Sequence, residues 1–288
     1  MVALDLATGK ARWSHRVAGP MLGGVVTADS MVYTGTARPD GKVHAFQVIS
    51  GNELWSTGVG EVEAPLALAG DRLLALTRRG RLVGLDRHSG KVLWRTRLTG
   101  QRVGPQALPG GEVLVTGYDS LYLVNPADGK IRLRRPAPGA VVSPWVPLGP
   151  LLVAGTGDSM VVALSPDSLT TAWEVRLDGP VLASPAVRGD TVYAVTITGS
   201  IYRLTAGSVD LLHSDPWAAT GAPTVVGEWL LVGGSAGDLR AYSLVDGAPA
   251  WSVKLGRPLE LAPLPTGPGE FVALGAPGDV SHFRVDTP

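Results

Sequence analysis

The chain of 288 residues contains no cysteine. Structural disulfides, thiolate metal sites and a cysteine nucleophile are therefore excluded. The absence does not identify a compartment, because a chain without thiols is safe in reducing and oxidising surroundings alike. No apolar run approaches the roughly 20 residues that a membrane-spanning helix needs, so direct insertion into a membrane is not expected.

Charge is also scarce, and neither sign dominates. Charged residues make up 17% of the chain, with 25 lysines and arginines against 25 aspartates and glutamates. This composition argues against disorder and against long solvated helices. A formal net charge of zero gives no electrostatic reason to expect nucleic-acid binding or docking on an anionic membrane. No signal peptide is visible in residues 1–10, so we expect a mature form, an excised domain or a cytoplasmic protein.

Glycine and proline are abundant, at 38 and 23 residues, and they accompany an internal repeat. The phrase spanning residues 3–13 returns at 45–55 and 84–94, with weaker copies beginning at 123, 163, 203 and 241. Successive copies end 38 to 42 residues apart. The final positions are Trp13, Trp55, Trp94, Leu133, Trp173, His213 and Trp251. Such a period is typical of a repeat architecture.

A second motif, a small residue followed by proline, repeats with the same period. It occurs at Ala64-Pro65, Gly104-Pro105, Ser143-Pro144, Ser184-Pro185, Ala222-Pro223 and Ala262-Pro263. Within one repeat we predict strands at Ala64–Leu68, Arg72–Leu76, Leu82–Asp86 and Val92–Arg97, because short runs are punctuated by glycine turns. Four antiparallel strands in about 40 residues indicate one blade of a β-propeller.

The fold class predicted is therefore all-β: a seven-bladed β-propeller of four-stranded antiparallel blades, in a single domain over residues 1–288. The first repeat has only its third and fourth strands, and the last has only its first three. We expect the strand at about residues 11–17 to complete the last blade (258–288), which hides exposed edges. Because Val2–Leu6 would then be surplus, an eight-bladed propeller, or a fragment of one, is the alternative.

The recurring residues have structural roles in this fold. Trp13, Trp55, Trp94, Trp173 and Trp251 are predicted to wedge between neighbouring blades from the outermost strands. Each buried indole removes about 150–250 Å² from water. The repeats that carry Leu133 and His213 are expected to be looser. The small residue before proline lets the inner strands converge on the axis.

The phrase Ala3-x-Asp5-x-x-Thr8-Gly9-Lys10-x-x-Trp13 resembles the tryptophan-docking motif of quinoprotein-type (PQQ-like) repeats. The resemblance implies membership of the WD40-like and quinoprotein-like propeller superfamily. It is closer to the non-catalytic propeller subunit of the outer-membrane β-barrel assembly machinery and to bacterial receptor sensor propellers than to quinoprotein dehydrogenases. It implies an extracytoplasmic location, in the periplasm or at the cell surface of a bacterium, with a cytoplasmic one left open. Alcohol-oxidising members of the quinoprotein family typically carry an adjacent cysteine pair near the cofactor. PQQ and calcium are not expected here, since this chain has no cysteine and no matching set of calcium-ligating residues is visible.

No motif assembles a convincing catalytic site. Gly233 to Gly237 matches the G-x-S-x-G elbow, but strands on both sides favour a hairpin turn. The five histidines share no metal-ligand spacing. Glu63 and Glu260 could meet as a carboxylate pair across the central channel of the propeller. The favoured interpretation is a channel mouth that holds water and side chains of both charges.

A binding site is expected where loops converge, at the connections entering each inner strand and the turns between strands two and three. The candidates are Glu61, Glu63, Arg102, Trp217, Arg257 and Glu260. Trp217 is either an exposed anchor for a protein partner or packed on a neighbouring loop. The hypothesis is a non-catalytic, monomeric scaffold that binds a protein or peptide. The alternatives are an enzyme (a reduced quinoprotein oxidoreductase or a hydrolase) and the ligand-sensing domain of a larger receptor.

Overall fold

The computed structural model describes residues 1–100, 103–205, 207–259, 261–275 and 279–285. Every regular element within these ranges is a β-strand, and the strands pair antiparallel in eight sheets. The chain divides into two compact units, Met1–Ala137 and Pro138–Pro288. The prediction of an all-β chain built from four-stranded antiparallel sheets is therefore confirmed.

The first unit contains sheets A to D, each in chain order. They are sheet A, with β1 (Val2–Leu4) and β2 (Ala11–Ser14); sheet B, with β3 (Val25–Ala28), β4 (Met31–Gly35), β5 (Lys42–Gln47) and β6 (Glu53–Gly58); sheet C, with β7 (Ala67–Ala69), β8 (Arg72–Leu76), β9 (Arg81–Asp86) and β10 (Val92–Arg97); and sheet D, with β11 (Val103–Ala107), β12 (Val113–Thr116), β13 (Ser120–Val124) and β14 (Ile131–Pro136).

The second unit contains sheets E to H. They are sheet E, with β15 (Val146–Leu148), β16 (Leu151–Gly155), β17 (Met160–Ser165) and β18 (Thr170–Arg176); sheet F, with β19 (Ala186–Arg188), β20 (Thr191–Val195), β21 (Ser200–Thr205) and β22 (Ser208–Ser214); sheet G, with β23 (Thr224–Val226), β24 (Trp229–Gly233), β25 (Asp238–Ser243) and β26 (Pro249–Lys254); and sheet H, with β27 (Leu264–Gly267), β28 (Glu270–Gly275) and β29 (Asp279–Arg284).

Burial follows strand position within each sheet. The second strands are buried on both faces, as in β8, where the run from Leu73 to Leu76 is wholly inaccessible to solvent. A continuous apolar run is the pattern of a strand covered on two sides. The fourth strands alternate, as in β10, where Trp94 and Thr96 are half-buried while Arg95 and Arg97 are exposed. Within each unit the core therefore lies between successive sheets.

An acidic side chain opens the turn between the third and fourth strands. Asp86 Oδ1 accepts hydrogen bonds from the backbone N–H of Ser89 (2.8 Å) and from its hydroxyl (2.7 Å). Asp5 accepts the same pair from Thr8. Hydrogen bonds from Arg12 and Thr8 lower the pKa of Asp5 to about 2. These local bonds explain why the Asp-x-x-Ser/Thr-Gly phrase recurs.

The tryptophans of the first unit bind the following sheet through their ring nitrogens. Each indole N–H donates to a backbone carbonyl in the next turn between third and fourth strands: Trp13 to Val48 (2.7 Å), Trp55 to Arg87 (3.1 Å) and Trp94 to Pro126 (2.9 Å). In the second unit, Trp173 packs into the core shared by sheets E and F, and Trp251 stacks on Phe271 with ring centroids 6.3 Å apart.

Sheet F departs from the repeat in register. Trp55 lies opposite Ala45, the fourth residue of β5, whereas His213 lies opposite Ile201, the second residue of β21. His213 therefore does not take the place of a docking tryptophan in the ladder, because the β21–β22 hairpin is shorter. The fourth residue of β21 is Arg203, whose Nη1 donates to the carbonyl of Val245 at 2.8 Å. A guanidinium thus links sheets F and G where other sheets use an indole.

The small-Pro motif marks the closest approach between successive sheets. A Cβ on Gly23 would collide with the backbone of Ala64, and one on Gly104 would lie 2.8 Å from the Pro65 carbonyl oxygen. Ser184 Oγ donates to the Pro144 carbonyl at 3.0 Å. The motif precedes β7, which begins at Ala67 rather than at Ala64 as predicted, because proline lacks the N–H that a ladder requires.

The ends of the chain form incomplete sheets. Sheet A has two strands and sheet H has three in the described ranges. The number of seven blades, the single domain over residues 1–288 and the completion of the last blade by residues 11–17 remain predictions.

Candidate functional site

The loops predicted to form the site do lie beside one another within each unit. Residues in the connections entering the inner strands bridge to the ends of the second strands, at Val62↔Thr77, Val141↔Thr156 and Ala219↔Gly234. Backbone hydrogen bonds fix the same contacts, for example from Arg78 N–H to the Glu61 carbonyl at 2.8 Å. We call this combination of entering connections and turns between strands two and three the loop-rich side.

In the first unit the loop-rich side carries a cluster of ion pairs. Arg38 pairs with Glu61, and Arg78 Nη1 lies 3.7 Å from Glu61 Oε2 and 3.3 Å from Glu63 Oε1. Both arginines are largely exposed, whereas the Glu61 side chain is only 16% exposed. The predicted candidates Glu61 and Glu63 are thus brought together, but each is already neutralised by a guanidinium. Carboxylates that are each held in an ion pair with arginine suit recognition of a partner better than proton transfer.

A buried histidine lies behind this cluster. Each ring nitrogen of His44 faces a carboxylate, with Nε2 2.6 Å from Asp40 Oδ2 and Nδ1 2.8 Å from Glu53 Oε1. Burial raises the pKa of Asp40, but hydrogen bonds from His44, Thr36 and Lys42 outweigh it and leave the pKa below its usual range. All of these groups are satisfied within the fold, which is the pattern of a structural network.

In the second unit Trp217 is half-buried, and the side chain of Arg240 lies over its ring. The Arg240 guanidinium lies 4.2 Å from the centroid of its ring, within the range of a cation–π contact. A Cβ on Gly234 would collide with the ring. The indole Nε1 is buried and, within the described residues, has no hydrogen-bond partner. Trp217 thus packs on the turn between β24 and β25 and presents part of its surface to solvent.

Arg240 also connects two acidic side chains beside a cavity. Its Nη1 donates to Asp215 at 2.6 Å and its Nε to Asp238 at 2.7 Å. The adjacent cavity, of about 770 Å³, is lined by these groups together with His213 and Tyr242. Burial raises the pKa of the Tyr242 hydroxyl. The two carboxylates and the guanidinium beside this cavity suit it to polar contacts.

An apolar hollow of about 270 Å³ lies between the loops of sheets F and G. Its wall includes Leu182, which is 50% exposed, and Ile197, which is 38% exposed. Sequence reasoning missed both residues. The available signal was the turn between strands two and three, where Ile197 takes the place that Arg78 holds in sheet C. A single exposed apolar residue is unremarkable, but Leu182 and Ile197 line one hollow together, and contiguous apolar surface of this kind marks a contact site.

The remaining sequence-predicted positions fall as follows. Arg257 is exposed, and its backbone packs against Gly237. Arg102 and Glu260 lie outside the described residues, so the proposed carboxylate pair of Glu63 and Glu260 stays a prediction. Ser235 sits in the tight turn between β24 and β25, with a strand on each side, which is not the strand–helix context of a nucleophile elbow.

The described ranges contain no group of three or more His, Cys, Asp or Glu side chains arranged to hold a metal ion. No helix there is long and apolar enough to cross a bilayer.

Comparison with known proteins identifies relatives across most of the chain. A family model described as "Outer membrane protein assembly factor BamB" matches residues 39–109, 100–174 and 144–264. The chain is 28% identical over 226 residues to the protein of that name from Burkholderia pseudomallei, covering 70% of this chain and 58% of the relative. It is 25% identical over 269 residues to the one from Bordetella pertussis, covering 86% and 68%. The chain thus spans little more than half the length of the first relative.

A solved structure gives the same result for the fold. The crystal structure of BamB from Moraxella catarrhalis superposes with a TM-score of 0.83 at 18% identity, over 96% of this chain and 89% of that one. The predicted PQQ-like propeller fold is thereby confirmed. A shorter match is to a quinoprotein ethanol dehydrogenase from Pseudomonas aeruginosa, 40% identical over 80 residues, which cover 26% of this chain and 12% of the dehydrogenase.

Proposed function

This chain belongs to the family of the outer membrane protein assembly factor BamB, and on that premise we propose that it is a non-catalytic propeller scaffold for outer membrane protein assembly. In this proposal it binds a protein partner through its loop-rich side and acts outside the cytoplasm. The named relatives support the assembly role.

The observation that carries the proposal is the hollow between the loops of sheets F and G. Leu182 and Ile197 expose apolar surface there, while Trp217 and Arg240 form a polar and aromatic border nearby in the same unit. An apolar centre beside tryptophan and arginine matches the composition of protein interface hot spots. A partner side chain that entered the hollow would bury it without leaving a charge unpaired.

The chemistry of the described side chains supports binding rather than turnover. Glu61 and Glu63 are held by arginines, and the serine of the G-x-S-x-G phrase lies in a hairpin turn. The similarity to a quinoprotein dehydrogenase covers only 12% of that enzyme, which is too little to carry its activity to this chain.

We expect Leu182→Asp with Ile197→Asp to weaken binding to the purified assembly complex of the same bacterium at least tenfold. Truncating or charging a hot-spot residue typically costs about 2 kcal/mol or more. Binding is measured by titration calorimetry. The matched control is Leu211→Asp, because Leu211 is 54% exposed but lies on the outer strand of the same sheet.

The control should bind within about twofold of the parent, since a rim or distant substitution changes little. Thermal unfolding of each variant shows whether the fold is retained. If the double variant, still folded, binds as tightly as the parent, the loop-rich side is not the interface and the proposal fails.

A further inference from the structure

The charge of the chain is balanced in total but unevenly distributed. Residues 1–137 hold 18 of the 25 lysines and arginines and 11 of the 25 aspartates and glutamates, a formal charge of +7. Residues 138–288 hold the other 7 and 14, a formal charge of −7. Since salt screens charges beyond about 8–10 Å, an approaching ligand responds to the local excess and not to the sum of zero.

Much of the positive excess lies on the outer strands of sheets C and D. Strands β10 and β14 contain five arginines and no acidic residue. Four of these arginines, together with two from the turn before β9 and from β9 itself, form what we call the basic surface. Its six side chains are Arg79, Arg81, Arg95, Arg97, Arg134 and Arg135. Across the described ranges none of these six forms an ion pair, although other arginines of the same unit do, such as Arg87 with Asp29 and Asp71.

One pair within the basic surface is unfavourable for folding. Arg81 and Arg97 lie directly opposite each other on β9 and β10, and like charges in that arrangement destabilise a sheet. The same position in sheet G holds Asp238 opposite Lys254, so the fold readily accepts an attractive pair there. A ligand that carries negative charge would relieve the repulsion between the two arginines.

A cavity of about 410 Å³ adjoins this pair. Arg79 and Arg81 line it together with Thr77, Asp40 and Glu61. The two acidic groups are already engaged, Asp40 by His44 and Lys42 and Glu61 by Arg38 and Arg78. The guanidinium groups of Arg79 and Arg81 are therefore the charges left to bind a ligand in this cavity.

We propose that the basic surface docks on a membrane that contains anionic phospholipids, with a headgroup phosphate entering the cavity beside Arg79 and Arg81. Arginine binds phosphate through paired N–H donors. Leu93 and Ile131, on the same two outer strands, are 40% and 41% exposed and provide apolar contacts at the acyl boundary. The tryptophan of β10 packs against sheet D, so its ring is not open for the base stacking by which single-stranded nucleic acids are bound.

The test is cosedimentation of the purified chain with vesicles of phosphatidylcholine alone and of phosphatidylcholine mixed with phosphatidylglycerol. Binding is expected only to the mixed vesicles, and it should weaken as salt is raised. Arg81→Gln with Arg97→Gln should lower the partition coefficient about 25-fold, at about fivefold for each basic residue. Lys254→Gln, at the position equivalent to Arg97 in sheet G, should leave binding unchanged.

Removal of the like-charge pair should leave the melting temperature of the double glutamine variant equal to or above that of the parent. Equal binding to neutral vesicles, or unchanged binding by a folded double variant, overturns the proposal. So does stabilisation by inorganic phosphate, or binding of polyglutamate, without any vesicle binding; these results would assign the site to a free phosphate or an acidic protein. The variant with Leu182→Asp and Ile197→Asp should bind vesicles normally, which separates this docking from partner binding.

Discussion

A docked indole depends on residues from three different strands and turns. The tryptophan sits on a fourth strand, a small residue lies opposite it, and a glycine in the next sheet leaves room for the ring. A Cβ on Gly84 would collide with the Trp94 ring opposite, and one on Gly90 would lie 2.5 Å from Trp55. Where the tryptophan is replaced by Leu133, the opposite residue is the larger Leu123. The sizes are complementary across the strand pair.

This complementarity predicts an unequal effect of adding one methyl group. Gly90 has φ +70° and touches the Trp55 ring, whereas Gly70 in the same sheet has φ +58° with nothing within 4 Å of a Cβ. Gly70→Ala should cost about 1 kcal/mol, the penalty for a side chain at positive φ. Gly90→Ala should cost about 1–3 kcal/mol more, as overpacking does.

The measurement is the free energy of unfolding in urea for both variants. If the two alanine variants are equally destabilised, the indole contact contributes nothing beyond the backbone conformation, and the proposed role of the ring in joining sheets B and C is wrong.

Among the elements, the hairpin of β5 and β6 is held by the buried network around His44. Asp40, from the turn before β5, and Glu53, from β6, bind the two ring nitrogens. Because the pKa of Asp40 is lowered in the folded state, its carboxylate stabilises the fold above the unfolded pKa near 3.9. That contribution is lost as pH falls through the folded value.

Asp40→Asn should therefore destabilise the chain by about 1.5–3 kcal/mol at pH 6, the usual contribution of hydrogen bonds to a charged group. The difference from the parent should begin to shrink below about pH 4, where Asp40 of the unfolded chain becomes protonated, and should vanish once pH falls below the lowered pKa of the folded state. Unfolding free energies across this range provide the measurement. Asp190→Asn, in an exposed turn, is the control and should change little at any pH; a pH-independent loss in Asp40→Asn would contradict the electrostatic explanation.

Sheet F shows how an element can depart from its repeat without losing its neighbour. Its shorter hairpin moves His213 along the ladder, where its ring lies 4.9 Å from that of Tyr242. His15 makes the same kind of contact with Phe46, at 4.7 Å. Arg203 meanwhile bridges to Asp210 and Val245. Polar links thus replace the indole, so the repeat is joined differently rather than left without a connection.

For the whole molecule, the prediction open to a direct test is the completion of the last blade. If residues 11–17 lie beside 281–285, cysteines introduced as Ser14→Cys and Ser281→Cys should form a disulfide on mild oxidation. The native chain has no cysteine to compete. Ser14→Cys with Ser208→Cys is the control and should stay reduced. Mass spectrometry after proteolysis identifies the bond. Failure of the first pair to cross-link would favour the eight-bladed alternative.

The sequence was informative wherever the structure follows from a local pattern. The period of the tryptophan and small-Pro motifs predicted the order of the strands, and three of the four strands predicted in sheet C begin within one residue of those observed. It was less informative about the loop-rich side. It singled out Glu61 and Glu63 but gave no sign that Arg38 and Arg78 neutralise them, because these contacts join residues from different turns.

The repeat, the turn chemistry and the all-β fold were determined by the sequence itself, since each depends on hydrogen bonds and burial patterns between residues close in the chain. The tertiary structure alone decided which charges are neutralised and which stay unpaired. Ion pairing depends on the distance between side chains brought together by folding, as with Arg87 and Asp29, and that distance cannot be read from composition. A chain with no net charge can therefore carry a strongly basic surface.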